Sequence, residues 1–352
     1  MPTTNNPQEP DKNPPPPITY QQFQQMLLDT SVPDKEIARY VFVDKEVSTP
    51  LNPVLKAKPE YVLMTTAEAE AENAMAIGNG LARLRRQLRF KEQLALGSKA
   101  PVLVSEGDSW FQFPILIDDV IDQLGKDYLV WDVSAAGDTA QNMVFGVVGK
   151  GHCEYLNALR DRKDRVRAFL FSAAGNDIIG QDEAGVPMLA RILKKHVSGG
   201  SPSDHIDFAV FGQALTFLKK AYSDVITKIR KEPGFEKLPI IVHGYDYAIP
   251  SDAGPDEPRH PIYAKQDEWL GKPLAEKGIT DPSLQRGIIR RLIDGLYDML
   301  DQVAHDHPHV HVVNVRGTLP QITDWNDEIH GTSAGFEHVA GKFKAVLAKV
   351  LA

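Results

Sequence analysis

From residue 100 onward, short and nearly continuous apolar runs alternate with longer stretches of helical periodicity. The runs are PVLVSE (101–106), YLVWDVSA (128–135), VRAFLFSAA (166–174), LPIIVHGYD (238–246) and VHVVNVRG (310–317). Strands apolar on both faces and separated by helices predict a parallel sheet covered on both sides. The remaining periodic segments predict helices at about 114–125, 138–148 with 152–161, 207–231, 283–304 and 333–350. Five such strands make a three-layer α/β/α sandwich with right-handed crossovers.

The pattern before residue 100 differs. Residues 1–17, MPTTNNPQEPDKNPPPP, hold too few apolar groups to bury a core and predict a disordered arm. ITYQQFQQMLLDT and VPDKEIARYVFV, within 18–65, predict short helices. Residues 66–96 predict a helical region with a break at Gly78-Asn79-Gly80, and Leu81, Leu84 and Leu88 recur at helical spacing. The organisation read from this is an arm (1–17), an accessory helical segment (18–99) and a main domain (100–352). The basic cluster RLRRQLRFK (83–91) is expected on a solvated or partner-facing helix.

Composition narrows the function classes. The 352 residues, 42% hydrophobic and 24% charged, suffice for a large core. A formal charge of −8 with no basic stripe argues against a nucleic-acid partner. The one cysteine, Cys153, rules out an internal disulfide and leaves no need for an oxidising compartment. The N-terminus lacks the basic and apolar segments of a secretory signal, and no run approaches a membrane span of about 20 residues. The expectation is a soluble, cytoplasmic protein without integral membrane association; export that needs no cleaved signal is compatible with the same sequence.

Three insertions, 178–206, 247–282 and 318–332, leave the C-terminal ends of strands, where open α/β sheets bind ligands. Chemistry collects at the same edge. The first strand ends in Gly107-Asp108-Ser109, the second in SAAGDT with Gly137, and the third in Gly175-Asn176-Asp177. The fifth is followed by DWNDEIHG, with Asp327 and His330. A serine hydroxyl needs an adjacent base held in one tautomer. His330 can take the Ser109 proton, and Asp327, three residues earlier, can hold the imidazole. An acyl-transfer intermediate also needs preset donors for its oxyanion. The Ser109 and Gly137 N–H groups and the Asn176 side-chain amide are the candidates.

These four blocks in this order resemble the SGNH hydrolases, the GDSL lipase/esterase family. Ser109 in GDS matches the family nucleophile, Gly137 in SAAGDT the second-block glycine and Asn176 in GND the third-block asparagine. Asp327 and His330 in DEIH match the final pair. The resemblance covers roughly 100–350. It implies a flavodoxin-like sheet of five parallel strands in order 2-1-3-4-5, and ester cleavage through an acyl-serine without metal or cofactor. Trp110 stands where the family has Leu, and Gly331 where it has Pro. The expected substrate is a small-molecule, lipid or glycan ester. Trp110, Tyr245, Tyr247, Tyr263 and Trp269 are the expected substrate-contacting residues, the last two on a 247–282 wall or lid. Asp177 is expected to brace the Asn176 loop. Acyl transfer through the same acyl-serine, a secreted effector lipase, and a non-catalytic binding module are the rival readings. Oligomeric state stays open.

Other motifs have plainer explanations. GTSAG (331–335) fits a nucleophile elbow, but it follows no strand, so Ser333 is expected to cap the last helix. Asp306-His307-Pro308-His309 lies at the opposite end of the sheet. His305, His307, His309 and His311 could face one way and bind zinc, but a solvated connection is expected. His152-Cys153 is expected at a helix start.

Overall fold

The computed structural model describes residues 14–44, 46, 48, 54–66, 68, 79–146, 153–180, 186–251, 257–259 and 269–352. The main sheet contains β1 (Val102–Gly107), β2 (Leu129–Asp132), β3 (Val166–Ser172), β4 (Ile240–His243) and β5 (Val310–Val313). All pairings are parallel and the spatial order is β2-β1-β3-β4-β5. This is the 2-1-3-4-5 sheet implied by the resemblance. Every residue of β1 and β4 is buried, as their unbroken apolar character requires.

Helices cover both faces. Side chains alternate along a strand, and β3 shows which helices lie where. Phe169 and Phe171 meet Tyr155 and Tyr222, the latter on helix α2 (Phe208–Lys231). Ser172, on the other face, meets His243, which packs on Phe343 of helix α4 (Ser333–Val350). Helix α3 (Pro282–Asp306) packs beside α2. Among the described residues, no helix is long and apolar enough to cross a membrane.

The expected 114–125 helix is confined to Val120–Leu124. Asp119 explains the late start: its carboxylate accepts from Ile121 N–H and Asp122 N–H as the N-cap, and also from Phe113 N–H.

The N-terminal region departs furthest from expectation. Beside its helices it holds two short pairings, Ile18–Thr19 with Val62–Leu63 and Val41–Val43 with Leu55–Ala57. Of the arm, residues 1–13 lie outside the described residues; Pro15 is buried and Pro16 C=O accepts from the Tyr40 hydroxyl. Helix α1 (Asn79–Ala95) lies along the edge strand β2, with Phe90 edge-on to Trp131. Its basic cluster is not a solvated face. Arg85 is fully buried, its guanidinium bonded to Asp34 and to carbonyls of Leu27, Asp29 and Val32. Arg86 is buried among Asp119, Asp122 and Asp132 and also donates to Phe111 C=O at 2.7 Å. A buried guanidinium must satisfy its N–H groups inside the protein, and these carboxylates and carbonyls do so.

Candidate active site

β1 ends where its backbone meets β3. A Cβ on Gly107 would stand 2.7 Å from Ser172 Cβ, so only glycine fits before the turn. The turn lifts Ser109 from the sheet edge, while Trp110 and Phe111 return to the core. The Trp110 indole N–H donates to Ile329 C=O at 2.8 Å, and its ring packs against Tyr245, Trp325 and Phe336. That bond joins the serine turn directly to the segment bearing His330.

His330 Nε2 lies 2.7 Å from Ser109 Oγ, and His330 Nδ1 lies 2.9 Å from Asp327 Oδ2. The Asp327 carboxylate also accepts from Ile329 N–H and His330 N–H at 2.9 and 2.8 Å. Burial works against its charge, yet the His330 ring and these amides hold its pKa below the ordinary range. Both side chains are almost fully enclosed, and Ser109 is 5% exposed. Phe113 and Trp269 stand edge-on to the imidazole, at 4.8 and 5.8 Å between ring centroids.

Of the remaining blocks, Asn176 lines the same cavity as Ser109. Gly137 adopts φ +83°, which favours glycine. Neither Ser109 N–H nor Gly137 N–H is bonded among the described residues. Asn176 Nδ2 donates to Asp138 C=O at 2.6 Å, linking the second and third blocks and leaving its other amide hydrogen for a further acceptor. Asp177 accepts from Ala140 N–H and Gln141 N–H, so it ties the third-block loop to the helix after the second block.

Several expected roles are corrected. Tyr245 lines the cavity beside Ser109, but its hydroxyl donates to Asp108 and accepts from Gly175 N–H at 3.0 Å. It holds the serine turn. Tyr247 points to α3, where its hydroxyl donates to Asp294 at 2.7 Å under the Arg290 guanidinium. Trp110 is 4% exposed and lines the same cavity as Ser109, whereas Trp269, 3% exposed, stands against the His330 ring. Tyr263 and His152 lie outside the described residues. Thr332, not Ser333, caps the last helix; the Ser333 hydroxyl accepts from Asp118 N–H at 3.0 Å. His305 pairs with Asp306 and His307 with Ser223.

Two supports escaped the sequence reading. The first is a buried chain behind Asp108. Ser172 Oγ donates to Asp108, so it must accept from His243 Nε2, 2.8 Å away. His243 Nδ1 then accepts from Tyr245 N–H, and burial depresses the imidazole pKa to about 3, keeping it neutral. The second is Glu328, between the catalytic candidates. Its carboxylate accepts from the N–H groups of Ser251, Trp269, Leu270 and Gly271 at 2.7–2.9 Å. Arg259 adds bonds to Ile249 C=O and Asp327 C=O. The 247–282 insertion is thereby fastened to the histidine segment. An acid beside Asp327 in DEIH was the only available signal.

No family model and no curated protein matches the chain. Similar solved structures include a putative platelet activating factor from Streptococcus pneumonia. It has 12% identity and a TM-score of 0.41, and the match covers 80% of this chain and 98% of that one. Another is a carbohydrate esterase family 3 protein from Talaromyces cellulolyticus, with 11% identity, a TM-score of 0.36 and coverage of 71% and 98%. A third is the M. smegmatis aryl esterase, with 14% identity, a TM-score of 0.39 and coverage of 71% and 100%. The esterases among them have the SGNH hydrolase fold.

Proposed function

We propose that this protein is a serine ester hydrolase of SGNH type. The observation that carries the reading is the 2.7 Å approach of His330 Nε2 to Ser109 Oγ, with Asp327 on the other ring nitrogen. With Nδ1–H donating to Asp327, neutral His330 presents Nε2 as an acceptor for the serine proton. Ser109 Oγ attacks the ester carbonyl carbon as its proton passes to Nε2. The carbonyl oxygen becomes an oxyanion, facing the unbonded amides of Ser109 and Gly137 and the second Asn176 hydrogen. Collapse breaks the bond to the alcohol oxygen, which takes the proton from His330. Water then adds to the acyl-serine with His330 as base, releasing the carboxylic acid and restoring the hydroxyl.

A panel of nitrophenyl esters tests this on the wild type and Ser109→Ala. The expected result is turnover that the substitution lowers by about 10³-fold or more. A fluorophosphonate should label Ser109 in the wild type only. Inactivity toward all esters together with no labelling overturns the proposal. Adding an alcohol acceptor and identifying the product separates hydrolysis from acyl transfer.

A further inference from the structure

A cavity of about 110 Å³ adjoins Ser109 and Asn176 and runs into the groove between α2 and α3. Phe211, Leu215 and Leu218 line one wall at helical spacing, and Ile289, Ile293 and Leu296 line the other. The two carboxylates on its surface are engaged elsewhere. Asp108 accepts from Ser172, Trp110 and Tyr245, while Asp246 accepts from the N–H groups of Tyr247, Gly317 and Leu319. Its walls therefore offer contact to hydrocarbon and almost no free hydrogen-bonding group.

Protein interiors are close-packed, and aliphatic side chains facing a void lose contacts. Here the void is kept between two long helices and adjoins the proposed nucleophile. We infer that this groove receives the acyl chain of the substrate, and that the preferred substrates are esters of medium-length, unbranched fatty acids. The inference rests on the serine hydrolase reading above. The acyl group is favoured over the alcohol by position. Ser109, which keeps the acyl group, lines the groove, whereas His330, which must protonate the departing alcohol, does not. Seven residues of either helix wall span about 10 Å, which limits the chain that fits.

Nitrophenyl acetate, butyrate, octanoate and palmitate compare acyl lengths at a constant leaving group. In the wild type, kcat/KM should rise about fourfold per added methylene within the groove and fall at palmitate. Leu215→Trp and Ile293→Trp, which fill the groove, should lower the octanoate-to-acetate ratio of kcat/KM at least about tenfold. Leu215→Ala should move the optimum toward longer chains, and it serves if the tryptophan variants do not fold. A second series of acetate esters with lengthening alcohols should show no such trend. The inference is overturned if esters are cleaved but the acyl profile is flat or falls steadily from acetate. It is also overturned if the profile survives the substitutions, or if alcohol length sets the rate. Inactivity toward every ester with no label on Ser109 instead overturns the hydrolase reading, and this one with it.

Discussion

At the scale of single residues, Asp108 is the instructive case. It sits beside Ser109, reacts with nothing in the proposed chemistry, and takes three donors from Ser172, Trp110 and Tyr245. Burial pushes its pKa from 3.8 to about 6, against the pull of those donors. Its folded pKa exceeds its unfolded one, so between these values the folded chain binds more protons. Stability therefore falls as pH rises from about 4 to about 6, by up to about 3 kcal/mol from this group. Asp177, also raised to about 6 by burial, acts with the same sign. Urea unfolding at several pH values should show this decline in the wild type and a shallower one in Asp108→Asn. An unchanged slope in the variant would refute the assignment. Gly-Asp-Ser was legible as a turn carrying a candidate nucleophile. That its acid was the hub of a buried chain was not, because Tyr245 lies 137 residues away.

At the scale of elements, helix α1 holds the sheet edge and the strand-end turns from outside. Arg86 ties it to Asp132 at the end of β2, to Asp119 ahead of the Val120–Leu124 helix, and to Phe111 in the serine turn. Asn79 exchanges two hydrogen bonds with the backbone of Ala136, immediately before Gly137. Arg86→Met would strand buried carboxylates without their cation. The expected loss is about 3–5 kcal/mol, read as a lower urea midpoint. A loss under about 1 kcal/mol would mean that water reaches these groups. The arginines were visible in the sequence as a basic, amphipathic helix. Their burial was not, since the partners of Arg86 are drawn from positions 25–46 residues further on.

At the scale of the whole molecule, the site depends on what surrounds the sheet. Residues before 100 supply α1, which covers the edge strand β2 and Trp131. An uncovered edge strand is a template for aggregation. A chain beginning at residue 100 is therefore expected to be insoluble or to unfold without cooperativity, by size-exclusion chromatography and thermal melting. A soluble, cooperatively folding product would show the N-terminal region to be dispensable. On the opposite side, Glu328 and Arg259 bind the 247–282 insertion to the histidine segment. The proposed catalytic pair spans 221 residues and is held by bonds from both flanks.

The five parallel strands, the long helices between them and the order of the serine, glycine, asparagine and Asp-x-x-His turns were legible in the sequence. These are local properties: apolar runs, helical periodicity and turn chemistry are each written within about ten neighbouring residues. Tertiary structure alone decided which groups were enclosed and which faced a cavity. It buried Arg85 and Arg86, took the hydroxyls of Tyr245 and Tyr247 for structural bonds, and opened an apolar groove beside Ser109. A stripe such as Phe211, Leu215 and Leu218 reads the same whether it packs against a neighbour or lines empty space. Only the placement of the facing helix distinguishes the two.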